Sequence, residues 1–384
     1  MLSLGMRLGG RKYRSFDARQ LVPTAAGTLP LPSWLSYECA TAETSAQTGP
    51  ATVRTGFAAD APRAFSRDGV TWGLLIEPAA TNLIDEQDLT AWASVNTPVL
   101  SAATTPSGTS EQCEIEDDNA AGVEYKRLLA FDVDPNPRTL SLSGWMQHLG
   151  GAGIAYLRIV LDAAISLQFI DSNANADWVA RAASGLVDPG AGAGSLEMRA
   201  SPRNAAAEVG SARYWGMQLE ERAYPTSFIG ADNATFTRAA SQLEADVAAI
   251  VPRGRMAGII RFRPHYSSAE VEANHNLIAI TDGAFANIAN IYYSQAFGRF
   301  QFDYPAGSVN GSAVTFSRHQ ELMLYYEYTA NRIALEVLGC TTGNGRAEAA
   351  SEAALASVAH AYVLGGSGGT EQGADLRRLS PLMS

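Results

Sequence analysis

At 384 residues the chain is long enough for about two or three domains with substantial apolar cores. Hydrophobic residues at 46% and charged residues at 17% exclude a disordered chain, and no apolar run is long enough for a membrane span. The net charge of −11 excludes nucleic acid as a partner over most of the surface, because duplex phosphates would be repelled.

The first segment departs from that acidic balance. Arg7, Arg11, Lys12, Arg14 and Arg19 face only Asp17 and are interleaved with Gly5, Gly9 and Gly10, which describes a basic, flexible arm. The same cations interrupt the stretch where the apolar core of an export signal would lie, so no such signal is expected. Pro23, Gly27, Pro30 and Pro32 carry the extended reading onward, and residues 34–60 add short irregular strands such as 52–57. Residues 1–60 are therefore expected to form an arm that docks onto another protein. Cys39, Cys113 and Cys340 are odd in number and far apart, which argues for free thiols over a disulfide framework or a CxxC metal site.

Within the next segment, Gly73 to Leu83 reads GLLIEPAATNL. Leu74, Leu75 and Ile76 form a short buried strand, Pro78 stops it, and Thr81 with Asn82 satisfies the turn backbone through side-chain hydrogen bonds. Glu77 is a carboxylate directly beside an apolar run. Its expected role is a hydrogen bond or ion pair that locks a linker over 61–83, with Arg63 as candidate partner.

Strand signals follow at even spacing over 110–116, 128–133, 138–147, 155–161, 166–171, 177–184, 195–200 and 212–221. Leu140, Leu142 and Trp145, or Cys113 and Ile115, give the period-two pattern of half-buried strands, which predicts an antiparallel sandwich. A second series runs over 256–264, 276–283, 290–295, 299–305, 313–317, 321–329, 332–339, 361–366 and 374–380, and predicts a second sandwich. Residues 240–250 and 347–359 are rich in Ala and Glu and are the two candidate helices.

At several points these residues resemble a family of bacteriophage virion and tail-fibre proteins in which a jelly roll is followed by a concanavalin/laminin-G-like domain. The marks are Ala61 to Phe65 with GLLIEPAATNL, where Ala80 stands in place of a frequent arginine; Asp88 to Trp92 as the entrance to the jelly roll; and Trp215 to Glu220, Ala223 to Ile229 and Thr237 to Ala240 as its closing strand and exit. After the arm that composition gives at 1–60, the resemblance implies an all-β chain with a signature linker at 61–83, a jelly roll at 84–238 and a second sandwich at 239–384. It implies a structural signature of Glu77, Pro78, Thr81, Asn82 and Trp92, a location in the virion, contacts with capsid or tail proteins, a homotrimer and no cofactor. The expected function is particle structure and attachment without catalysis, anchored by the basic arm; the rivals are a polysaccharide depolymerase and a decoration protein without ligand.

Chemistry-bearing patterns are sparse. Asp171, Asn173, Asn175 and Asp177 alternate oxygen side chains as a calcium loop or a plain strand turn does. Gly365 to Gly369 fits a nucleophile elbow, but no helix pattern follows and His360 precedes Ser367, which favours a glycine-rich loop. Gly190, Gly192 and Gly194 precede a strand, so they mark a loop and not a phosphate site. Five histidines show no metal-binding spacing and are expected at surface or strand positions. Glu114 and Glu116 share a strand face that points to solvent. Tyr292, Tyr304, Tyr326 and Tyr328 are the candidate glycan platform, with core packing or a trimer interface as the alternative, because sugar rings stack on aromatic faces.

Overall fold

The computed structural model describes residues 16–18, 21–40, 44–117, 124–128, 136–151, 154–162, 164–171, 174–188, 196–202, 209–230, 236–271, 273–350, 353–364 and 374–381. The expected arm residues Arg7, Arg11, Lys12, Arg14 and Arg19, together with Asn173 and the glycine loops at 190–194 and 365–369, lie outside them. The chain is all-β, as its alternating pattern predicts, and its strands form antiparallel sheets.

The jelly roll packs two five-stranded sheets face to face. One runs Val179–Val187, Arg138–Gly151, Gly210–Glu220, Ser110–Asp117 and Val99–Thr104; the other runs Ala164–Asp171, Ala155–Leu161, Leu196–Ser201, Glu124–Leu128 and Ala93–Val95. Leu140, Leu142, Met146, Leu157, Ile159 and Phe169 lie in the core between them.

Trp145 does not share the face of Leu140 and Leu142, and Cys113 does not share that of Ile115. Trp145 and Cys113 instead join Trp178 and Trp215 in a separate cluster. A bulge between Gln112 and Glu114 resets the alternation around Cys113, whereas Trp145 simply falls on the odd side of its strand. Gly216 resets the facing strand, so that Tyr214, Met217 and Leu219 point to the core and Trp215 points away. Its φ of +62° is left-handed, a conformation that glycine adopts without a Cβ clash.

The second sandwich takes strands from both sides of the jelly roll in sequence. Its larger sheet runs Gly345–Ala350, Arg332–Leu338, Leu322–Tyr328, Met256–Pro264, Ala374–Pro381, Gly73–Ile76 and Ala64–Phe65, and Phe16–Asp17 also pairs with Ala374–Pro381. The facing sheet runs Leu35–Glu38, Gln242–Ala245, His360–Val363, His275–Thr281, Asn287–Ser294, Arg299–Tyr304 and Gly307–Ala313.

Residues expected in an arm and a linker are thus strands of this sandwich. Phe16, Leu29, Trp34, Leu35 and Tyr37 sit in its core with Leu74 and Ile76. The reason is pairing: Leu35–Glu38 alternates buried and exposed residues and finds its partner in Gln242–Ala245. The jelly roll is accordingly an insertion, entered through Ala80–Asn82 and left through Phe236–Arg238, which pair with one another. Of the two candidate helices, 240–250 divides between the strand Gln242–Ala245 and one helical turn at Val247–Ile250, and 347–359 gives the end of the strand Gly345–Ala350 and irregular chain over 353–359.

Candidate functional site

The signature residues converge on a buried clasp beside the jelly-roll entrance. Glu77 follows the strand Gly73–Ile76, Arg63 precedes Ala64–Phe65, and Arg238 ends the exit strand. Both guanidinium groups reach the Glu77 Oε2 at 3.1 Å, and all three side chains are at most 1% exposed. Ser227 donates its backbone N–H and hydroxyl to the same carboxylate, each at 2.6 Å. Arg63 also donates to the Tyr37 hydroxyl and the Ser45 carbonyl, and Arg238 to the Pro78 carbonyl.

Burial by itself raises the carboxyl pKa of Glu77, but Arg238, Arg63 and the Ser227 hydrogen bond outweigh it and bring it to about 2. Glu77 is therefore ionised at neutral pH. The expected Glu77 to Arg63 pair is present; the second arginine is the partner that local sequence did not reveal.

Other signature residues extend the network. Asn82 donates from Nδ2 to the carbonyls of Met217 and Ile229 and accepts at Oδ1 from the N–H groups of Ile84 and Leu219. Glu220 accepts from the Thr226 N–H and hydroxyl, and Gln218 accepts from the Ile229 N–H. Thr81 shares a hydrogen bond with Thr237, and the Trp92 indole donates to the Glu86 carbonyl. The closing motif thus folds over the entrance motif, and each polar side chain stands in for a strand partner that the chain crossing lacks.

Above the clasp lies a cleft of about 380 Å³ between the two sandwiches. Ser143 to Trp145, Ala180 to Ala182 and Pro225 to Phe228 line its jelly-roll side; Phe65, Arg67, His265, Arg318 and His319 line the other. Ser45, Gln47 and Val53 come from the hairpin of Thr44–Gly49 and Thr52–Phe57, which covers the outer tryptophan cluster of the jelly roll. Ser227 and Ser45 belong to both the clasp and the cleft.

The cleft is cationic. Three arginines and two histidines line it, with no carboxylate among its lining residues. Arg318 is held by Glu270 and crosses to the jelly roll, donating to the Ser184 hydroxyl at 3.2 Å and the Ala223 carbonyl at 3.4 Å. Phe65, His265 and His319 form a ladder with ring centroids 4.9 and 5.1 Å apart. Burial first, and then the charges of His265, Arg67, Arg318 and Arg263, drive the His319 pKa far below its ordinary value. His265, His275 and His148 are buried, and His275 and His148 lie in strands, one of the two kinds of position expected for them.

The tyrosine platform is overturned for its two central members. Tyr326 is 0% exposed and Tyr328 1%, because their common face of the strand Leu322–Tyr328 points into the core. Tyr292 is half-buried and donates its hydroxyl to Asp303, while Tyr304 packs beside Phe302 and Tyr328. In the suggested calcium loop, Asp171 already holds a cation, Arg181 at 2.9 Å, and accepts from Asn175; Asp177 is exposed. Glu114 pairs with Arg213 at 2.7 Å, and Glu116 is exposed. All three cysteines are free thiols and buried, and burial pushes Cys113 and Cys340 up to about 11, which leaves them unreactive.

No protein-family model matches this chain, and no curated protein matches it.

Proposed function

We propose that this chain is a structural and adhesion protein of a bacteriophage particle, whose two sandwiches project as one unit and meet a surface glycan. The observation that carries the reading is the convergence of the signature. Pro62-Arg63, GLLIEPAATNL, the closing Trp215 to Glu220 strand, Pro225 to Ile229 and Thr237-Arg238 resemble phage virion proteins at separate places in sequence, and their polar members meet in one buried network.

Such a network supports a projecting part, because a junction fixed by buried ion pairs transmits load without bending between modules. In this reading the basic segment with Arg7, Arg11, Lys12, Arg14 and Arg19 anchors the chain to capsid or tail proteins, and three copies associate as symmetric projections do.

Labelling the chain on purified particles and mapping their density tests the proposal. The expected result is three copies at each projection, with incorporation lost when residues 1–14 are deleted. Particles that keep their composition and host adsorption without the chain overturn it. Release of reducing ends from host polysaccharide by the purified chain overturns the non-catalytic part in favour of a depolymerase.

A further inference from the structure

The cleft combines three features that the clasp does not require. Its wall is cationic, with Arg67, Arg181 and Arg318 around a space that contains no lining carboxylate. Its jelly-roll side offers the Trp145 and Phe228 rings beside the hydroxyl of Ser143. The Nδ1 of His319 is buried and has no hydrogen-bond partner.

Each feature points to a ligand. A buried nitrogen without a hydrogen-bond partner is costly, and a bound ligand can supply the missing bond. His319 is also held at a φ of +59°, with its N–H donated to the Pro264 carbonyl at 2.7 Å; backbone strain of this kind clusters at binding sites. Arg181 pairs with Asp171 through Nη2, and Arg318 engages Glu270, Ser184 and Ala223 through Nε and Nη2, but a guanidinium has five N–H donors, and the Nη1 of each remains to receive a second anion. Glu77 lies beneath the cleft, and Arg63 and Arg238 neutralise it there.

We infer that the cleft binds an acidic glycan residue, whose carboxylate is received by Arg67, Arg318 and His319 and whose ring lies against Trp145 and Phe228. A bare oxyanion has no use for the aromatic wall, and a neutral sugar has none for the cations. The volume of about 380 Å³ falls within the range of pockets for small organic ligands, about 300–1,000 Å³. The inference names the ligand class for the adhesion reading and rests on it only for where the ligand is met.

Titration calorimetry on the full chain tests it with digalacturonate and N-acetylneuraminate, their carboxyl-reduced neutral counterparts, and inorganic sulfate. At least one acid is expected to bind, with its neutral counterpart and sulfate weaker by about tenfold or more. Arg67→Gln and His319→Asn are each expected to weaken it about tenfold with unchanged thermal unfolding, since asparagine tolerates the left-handed backbone. Absence of binding by both acids overturns the inference. So does equal binding of the neutral counterpart, and so does sulfate binding as tightly as the sugars. Indifference to both substitutions moves the site elsewhere and likewise overturns it. These outcomes concern the ligand alone, whereas absence of the chain from the particle bears on the adhesion reading.

Discussion

The carboxylate of Glu77 and the guanidinium of Arg238 flank the jelly roll in sequence and meet at 3.1 Å with both side chains closed to solvent. The contact joins the entrance of the insertion to its exit. Arg63 completes a buried triad on the same oxygen, so removing the single carboxylate leaves two buried guanidinium groups facing one another.

Glu77→Gln is therefore expected to lower the unfolding free energy by about 3–5 kcal/mol, the usual cost of leaving a buried charge without its partner. Denaturant titration measures it. Adding Arg238→Met to that variant should cost less than the sum of the two single changes, because the second change removes one of the stranded charges. Strict additivity would show that the two side chains are not coupled.

Acid should weaken the fold in two stages. Burial, and then the charge of Arg222, hold His275 at about 4 against an ordinary value of 6.5. The unfolded chain thus binds this proton first, and the stability contributed by neutral His275 is full above pH 6.5 and lost progressively between 6.5 and 4, on the order of 3 kcal/mol. Glu77 is depressed from 4.5 to about 2, so its contribution is full above pH 4.5 and is lost as pH falls towards 2. Unfolding free energy measured from pH 8 to 4 should decline, and His275→Gln should reduce the slope above pH 4.5, the remainder coming from His319, whose pKa is depressed as well. An unchanged slope in that variant would remove His275 as a cause.

Truncation should expose the shared construction of the second sandwich. Residues 239–384 expressed alone lack Leu35–Glu38, Ala64–Phe65 and Gly73–Ile76, together with the core side chains Trp34, Tyr37 and Leu74. They are expected to give no cooperative thermal transition, and deletion of residues 1–40 from the full chain should abolish the transition of that sandwich while near-ultraviolet signals of the jelly-roll tryptophans persist. Cooperative unfolding of 239–384 alone would mean that the added strands are accessory.

Tyr326 offers a test of its core position. Its hydroxyl is buried without a hydrogen-bond partner, so Tyr326→Phe should be neutral or raise the melting temperature. Tyr326→Ala should cost about 3–5 kcal/mol through the cavity left behind. Thermal scans of the two variants decide it: a marked loss in the phenylalanine variant would require a partner for the hydroxyl.

The all-β class is legible in the sequence, since alternation along each strand is a local property of the chain. The sequence also made Glu77 conspicuous as a carboxylate beside an apolar run, with Arg63 within reach as partner. It placed Tyr326 and Tyr328 on a common face, because side-chain parity is local, but which face meets the core depends on where the opposing sheet lies. Likewise the bulges at Cys113 and Gly216 reassign faces in a way that residue spacing does not reveal. Tertiary structure alone decided that Leu35–Glu38 pairs with Gln242–Ala245, that Arg238 returns to Glu77, and that Arg67, Arg318 and His319 share one cleft with Trp145. Those contacts join residues far apart in the chain, and they form only when the jelly roll is inserted between strands that belong to a single sandwich.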